Sequence, residues 1–173
     1  MRPKVAPTGV EQFFGEDEII VSKTDLKGKI TYANEVFMRI AGYSEEELLG
    51  APHNIIRHPD MPRCVFKLLW DQIEAGREIF AYVVNQCKNG DHYWVYAHVT
   101  PTFGPNGEIT GYHSNRRVPE RDAVEKATGL YRQLRAIEER ATSQREGMQA
   151  ATEALGALLG QQKVDYDEFV FTL

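Results

Sequence analysis

The segment "IIRHPDMP", Ile55 to Pro62, constrains this chain more than any other. Together with Pro52 it places three prolines within eleven residues. Each proline removes a backbone donor and restricts the residue before it, so neither a helix interior nor a central strand can run through here. The chain must cross over irregularly at this point. The crossover carries a cation, an imidazole and a carboxylate close together: Arg57, His58 and Asp60.

Regular elements are legible on both sides. Glu18 to Thr24 and Lys29 to Ala33 read as strands joined by a turn ending at Gly28. Asn34 suits a helix N-cap, and Ser44 with Glu47 forms a capping box before a second short helix. After Pro62, the residues Val65, Phe66, Leu69, Trp70 and Ile73 recur at helical spacing up to Gly76. Three strands follow, Ile79 to Lys88, Asp91 to Phe103 and Ile109 to Val118, separated by the turns "KNGD" and "GPNGE". This order predicts an α+β domain over residues 18–118. It would hold a five-stranded antiparallel sheet with short helices on one face and a pocket between them.

The strand from Ile79 is apolar on both faces in its first half, which predicts cover on both sides. Asn85 then falls on an apolar face, where an amide without partners costs roughly 1–3 kcal/mol. A three-residue hairpin loop with Gly90 in the left-handed region sets Tyr93 opposite Asn85; a two-residue turn would set Trp94 there. The first register is preferred, because the second crowds Trp94, Tyr96 and His98 into the pocket. In the crossover, Arg57 offers a planar fork suited to phosphate. His58 can stack or donate, and Asp60 can orient Arg57 or accept from a ribose hydroxyl. A surface loop held by an Arg57–Asp60 pair is the plainer alternative.

Residues 1–17 read as an arm or cap. From Pro119 the character changes: residues 119–163 lack further proline and carry a seam of Leu130, Leu134, Ile137, Ala141, Gln144, Met148, Ala151, Leu155 and Leu158. Steps of four and three over that length predict a long C-terminal coiled-coil helix and a homodimer. An amphipathic helix packed on its own domain is the competing reading. The tail, residues 164–173, is rich in aromatic and aliphatic side chains, so it should dock on a partner, a second subunit or the sheet.

Net charge is −5, which argues against nucleic-acid binding through a general positive field. The two cysteines, Cys64 and Cys87, show neither metal spacing nor a disulfide framework. No leader and no apolar run near the roughly 20 residues of a membrane span is visible, so a soluble cytoplasmic protein without membrane insertion is expected. Neither a phosphate loop nor a zinc-protease motif nor a nucleophile–base set is present, and no enzymatic activity is expected.

The stretches "TDLKGKITYANEVFMRIAGYSEEELLG", "PHNIIRHPDMP", "LLW" and "VVNQCKNGDHYWVYAHVTP" together resemble a PAS sensor domain. More narrowly, they resemble the flavin-binding PAS domain of bacterial aerotaxis receptors, over about residues 18–118. The resemblance implies a PAS fold and non-covalent FAD as a redox sensor. It links Arg57, His58, Asp60, Trp70 and Asn85 with FAD, while Asn34 and His53 sit in matching stretches. Light-sensing flavin PAS domains carry a reactive cysteine in an Asn-Cys-Arg motif, which "HPDMPRC" does not match, so no photoadduct is expected. Val95 stands where that type has an Asn, and His113 where it has its signalling Gln. The membrane segment and signalling region of aerotaxis receptors do not occur in these 173 residues. The expected function is a redox or oxygen sensor that relays flavin state through the sheet, by Asn85 and His113, to the coiled coil and a downstream signalling protein. A haem-binding gas sensor using one of the five histidines, or a cofactor-free dimerisation or adaptor protein, are the alternatives.

Overall fold

The computed structural model describes residues 5–173, so the first four residues of the predicted arm lie outside the described residues. The strands are β1 (Ile20–Thr24), β2 (Ile30–Ala33), β3 (Ile79–Gln86), β4 (His92–Phe103) and β5 (Ile109–Arg117). They form one antiparallel sheet in the order β2-β1-β5-β4-β3. Between β2 and β3 lie α1 (Glu35–Ala41), α2 (Glu45–Leu48), a 3-10 turn (His53–Ile56) and α3 (Arg63–Glu74). Asn34 caps α1 by accepting from Phe37, and Ser44 and Glu47 make the expected capping box on α2.

The β3–β4 hairpin takes the three-residue loop. Gly90 has φ of 97°, and Asn85 pairs with Tyr93. Ala or any larger residue would resist that backbone region. The register sends Tyr93, Val95, Ala97 and Val99 inward and leaves His92, Trp94, Tyr96 and His98 on the outer face.

The C-terminal segment is helical as expected but not continuous. It forms α4 (Arg121–Arg140) and α5 (Gln144–Gln162), broken at residues 141–143. The break has a local cause: Ser143 accepts from the Glu146 amide and starts a new helix. The two helices close into a hairpin packed on the domain. Leu134, Ala151 and Leu155 are buried within the chain, and a Cβ at Gly147 would overlap the Glu138 carbonyl oxygen. The apolar seam is therefore consumed largely inside one chain.

Helix α4 crosses the outer face of the sheet, where the Tyr131 hydroxyl donates to the Tyr82 carbonyl. A short helix α6 (Tyr166–Phe171) ends the chain on the same face, with Phe171 edge-on to Phe80 and the Asp167 carboxylate accepting from the Phe80 amide. The tail thus docks on the sheet. The N-terminal arm is tied to the β3–β4 loop: Thr8 and Gln12 donate to Asp91, and Arg121 pairs with Glu11. Phe14 packs against the core, whereas Phe13 is exposed and lies beside the Arg121 guanidinium. Among the described residues, no helix is long and apolar enough to cross a membrane.

Candidate functional site

Between the inner face of the sheet and α3 lies a cavity of about 390 Å³, within the usual range for small-molecule sites. Its floor comes from alternate strand positions: Ser22 and Thr24 on β1, Val83 and Asn85 on β3, Ala97 and Val99 on β4, Tyr112, Ser114 and Arg116 on β5. Its roof comes from α3 through Phe66, Leu69, Trp70 and Ile73, and Met148 of α5 reaches the rim. Trp70 meets Tyr112 edge to face at 5.5 Å. The walls are thus aromatic and aliphatic, suited to a planar ring.

The charge of the lining is one-sided. Lys27, Arg57, Arg63, Lys67 and Arg116 line the cavity, and among the described residues no carboxylate does, in a chain whose net charge is −5. Lys67 pairs with Asp71 outside the lining. Arg57 stacks its guanidinium over the Phe66 ring at 4.2 Å, and burial pushes its pKa down. Two donors deep in the cavity have no full set of partners. Asn85 Nδ2 is buried and unpartnered, and so are Arg116 Nε and Nη1. Arg116 is 2% exposed and makes one side-chain hydrogen bond, from Nη2 to Ser22 Oγ at 2.6 Å. Buried polar atoms left in this condition are costly, and a ligand with acceptor oxygens or nitrogens would satisfy them.

His53 belongs to the same cluster. Its Nε2 lies 2.9 Å from Ser22 Oγ. Ser22 Oγ accepts from Arg116 and can still donate its hydrogen to His53 Nε2 in the neutral Nδ1–H tautomer. Burial, helped by the Arg116 charge, holds the His53 pKa down to about 3.

The sequence-predicted residues divide into two groups. His53, Arg57, Trp70, Asn85 and His113 line the cavity together. His58 and Asp60 do not. They border a second cavity of about 270 Å³ on the opposite side of the sheet, with His92, Trp94, Arg132 and Arg135. His58 is buried there, its Nδ1 accepts from the Asp60 amide, and burial lowers its pKa. Asp60 pairs with Arg135 of α4 rather than orienting Arg57. Arg57 is extended, so the side chains at 57 and 58 point to opposite sides, and a turn closed by the Met61 amide on the His58 carbonyl follows.

Two further expectations need correction. The Asn34 side chain is spent on backbone groups, accepting from Val21 and Phe37 and donating to Ile19, so it is a structural cap outside the cavity. Tyr93 is fully buried with its hydroxyl unpartnered and its pKa raised by burial, but it lies behind the lining. His113 does line the cavity, from β5, and its ring Nε2 also bonds Asn115 Oδ1. The inward positions there are Ser114 and Arg116.

The crossover is tied to α4. The buried Glu138 carboxylate accepts from the amides of Arg63 and Cys64 at 3.0 and 2.8 Å. It caps α3, whose own N-cap is Pro62 and supplies no side-chain acceptor. Sequence reasoning missed Arg116, Ser22, Glu138 and Met148. The first was detectable as a charge sharing parity with inward Tyr112; the others carry no local signal.

Comparison with known proteins agrees with this geometry. Residues 30–116 match a family model described as PAS fold. The chain is 40% identical over 121 residues to the aerotaxis receptor of Escherichia coli (strain K12), an alignment spanning 70% of this chain and 24% of the receptor. It is 30% identical over 99 residues to a nitrogen fixation regulatory protein of Klebsiella pneumoniae, spanning 57% of this chain and 20% of that protein. The chain thus spans no more than about a quarter of these relatives. The light-state structure of the blue-light photoreceptor Aureochrome1 LOV superposes with a TM-score of 0.57 at 23% identity, covering 64% of this chain and 88% of that one. A light-oxygen-voltage domain studied with a flavin analogue superposes with a TM-score of 0.55 at 18% identity, covering 68% and 86%. These two likenesses are of fold.

Proposed function

This chain belongs to the PAS-fold family, and from that premise we propose that it is a non-enzymatic sensor module that binds FAD non-covalently and reports its redox state to a partner protein. The observation that carries the reading is the cavity itself: apolar walls, five lining cations, no lining carboxylate, and orphaned donors on Asn85 and Arg116. A planar heteroaromatic ring with acceptor edges suits the interior, and a diphosphate suits the cationic mouth near Arg57, Arg63 and Lys27. The similarity to an aerotaxis receptor and to light-oxygen-voltage domains supports the same ligand class.

When bound, the flavin supplies reversible reduction and a ring nitrogen that changes from hydrogen-bond acceptor to donor. Asn85 can follow such a change by rotating its amide, which carries both an acceptor and donors. The strand position of Asn85 pairs in an isolated bridge with Arg57, so its movement bears directly on the crossover. Asp60 then holds Arg135, and the start of α3 holds Glu138, both on α4. This route runs beside the one expected through His113, which lines the same cavity. Pairing with a second copy through the helical seam competes with closure of the α4–α5 hairpin, so a homodimer would form as the hairpin loosens.

Haem fits less well. The Nε2 of His53 is engaged by Ser22, His58 and His92 border the other cavity, and His98 and His113 are bonded to Glu78 and Asn115. The test is the visible spectrum of the purified protein before and after dithionite. Flavin bands that bleach, with FAD on release, support the proposal. A Soret band moves the assignment to haem. A colourless protein that takes up no added FAD refutes the sensor reading and leaves a fold used for dimerisation.

A further inference from the structure

Arg116 is the least compensated charge in the described residues lining the main cavity. It extends inward from β5, opposite Ala97 of β4 and Ile20 of β1. The groups facing it come from four elements. Ser22 of β1 accepts its one side-chain hydrogen bond, and Phe37 of α1 lies under the guanidinium at 4.5 Å. His53 of the 3-10 turn is neutral, and Tyr93 of β4 is a neutral phenol whose pKa burial raises. Among the described residues, no carboxylate pairs with it, and Nε and Nη1 are unpartnered. Burial lowers its pKa to about 10, which leaves it cationic at neutral pH. A buried cation without a counter-ion is expensive, and the neutral neighbours cannot supply one.

We propose that Arg116 is the residue that sets the charge of the bound ring, holding the reduced flavin as an anion. The inference rests on the FAD reading above and deepens it. The step balances as follows: the oxidised ring takes two electrons from a low-potential reductant, dithionite in the test, and one proton from solvent at N5. The second proton, which N1 of the ring would otherwise take in acid, is displaced by the guanidinium charge. Arg116 then raises the affinity for reduced over oxidised flavin and so raises the midpoint potential. His53 does not share this role, because its folded pKa of about 3 keeps it neutral over the same range.

The test is the midpoint potential of the FAD-loaded full chain, measured from pH 5 to 8 beside free FAD. A two-electron couple that takes up one proton changes by about 30 mV per pH unit, and one that takes up two changes by about 59 mV. The break between these slopes marks protonation of the reduced ring. In the native protein the break should lie at least one pH unit below that of free FAD. Arg116→Gln, which keeps donors but removes the charge, should return the break toward free FAD and weaken reduced-state binding at least tenfold, about 30 mV in potential. Arg116→Lys should keep the native break. The absorption spectrum of the reduced protein at pH 5 gives a second readout. A native break at or above that of free FAD overturns the proposal, whatever the variants do. FAD uptake with an unmoved break in Arg116→Gln overturns the role of Arg116 alone. Failure of the native protein to take up FAD overturns both this and the flavin reading.

Discussion

Replacing Glu138 by Ala tests the joint between the crossover and α4. The carboxylate is 7% exposed and accepts from two backbone amides, those of Arg63 and Cys64. Hydrogen bonds to a charged group contribute roughly 1.5–3 kcal/mol each, and a buried donor left unsatisfied costs about 1–3 kcal/mol. Removing a buried carboxylate also relieves its desolvation, and water can reach the partly buried Arg63 amide. The net loss for Glu138→Ala should be about 2–4 kcal/mol in urea titration. For a chain of this size that corresponds to a fall in Tm of roughly 5–15 °C. Glu138→Gln keeps one acceptor and should lose about half as much. The control is Glu139→Ala, whose exposed i,i+4 pair with Arg135 contributes at most roughly 0.5 kcal/mol. Hydrogen exchange at the Arg63 and Cys64 amides should speed up in Glu138→Ala in step with the stability loss. Should Glu138→Ala lose no more than Glu139→Ala, the idea that α4 supplies the α3 cap is refuted.

Acid should weaken the fold through His53. Its folded pKa of about 3 lies below its unfolded value near 6.5, so stability is full above about pH 6.5 and falls as the pH drops toward 3. The slope should approach about 1.4 kcal/mol per pH unit, with His58 adding in the same direction, and His53→Gln should flatten it in urea titrations at pH 7, 6 and 5. The helix glycines should respond with opposite signs to alanine. Gly129 and Gly156 have open space and should gain about 0.5–1 kcal/mol, while Gly147→Ala should lose at least about 1 kcal/mol and make residues 141–143 more sensitive to limited proteolysis. Burial pushes both the Cys64 and Cys87 thiols up to about 12, so iodoacetamide at pH 8 should label neither in the native protein and both in urea.

The sheet was legible because its signals are local. Gly90 and the crowding of Trp94, Tyr96 and His98 decided the hairpin register, and that register correctly set Tyr93 opposite Asn85. Trp70 and Asn85 followed from periodicity and from one polar residue on an apolar face. The crossover was different. Loop residues have no period, so the sequence could place Arg57, His58 and Asp60 near one another but not on a side of the sheet. Arg116 was not singled out, since a charge at a strand end is ordinarily solvated. Only the pairing of Ala97 with Arg116 shows that it points inward. The helical seam carried true periodicity, yet a seam does not say whether its partner is another chain or a later turn of the same one. Ser143 was the local clue to the break, and the heptad pattern ran over it.

The cap that α3 receives from Glu138 also sets an order of assembly. The two acceptor contacts span 75 and 74 residues of chain. At a synthesis rate of roughly 5–20 residues per second, the first turn of α3 is made about 4–15 s before its acceptor exists. By then all five strands, which end at Arg117, have already been made. A nascent chain of that length can zip its sheet but holds the roof of the cavity on a frayed helix. The roof becomes firm only as residue 138 emerges, so maturation of the cavity is timed to the synthesis of α4.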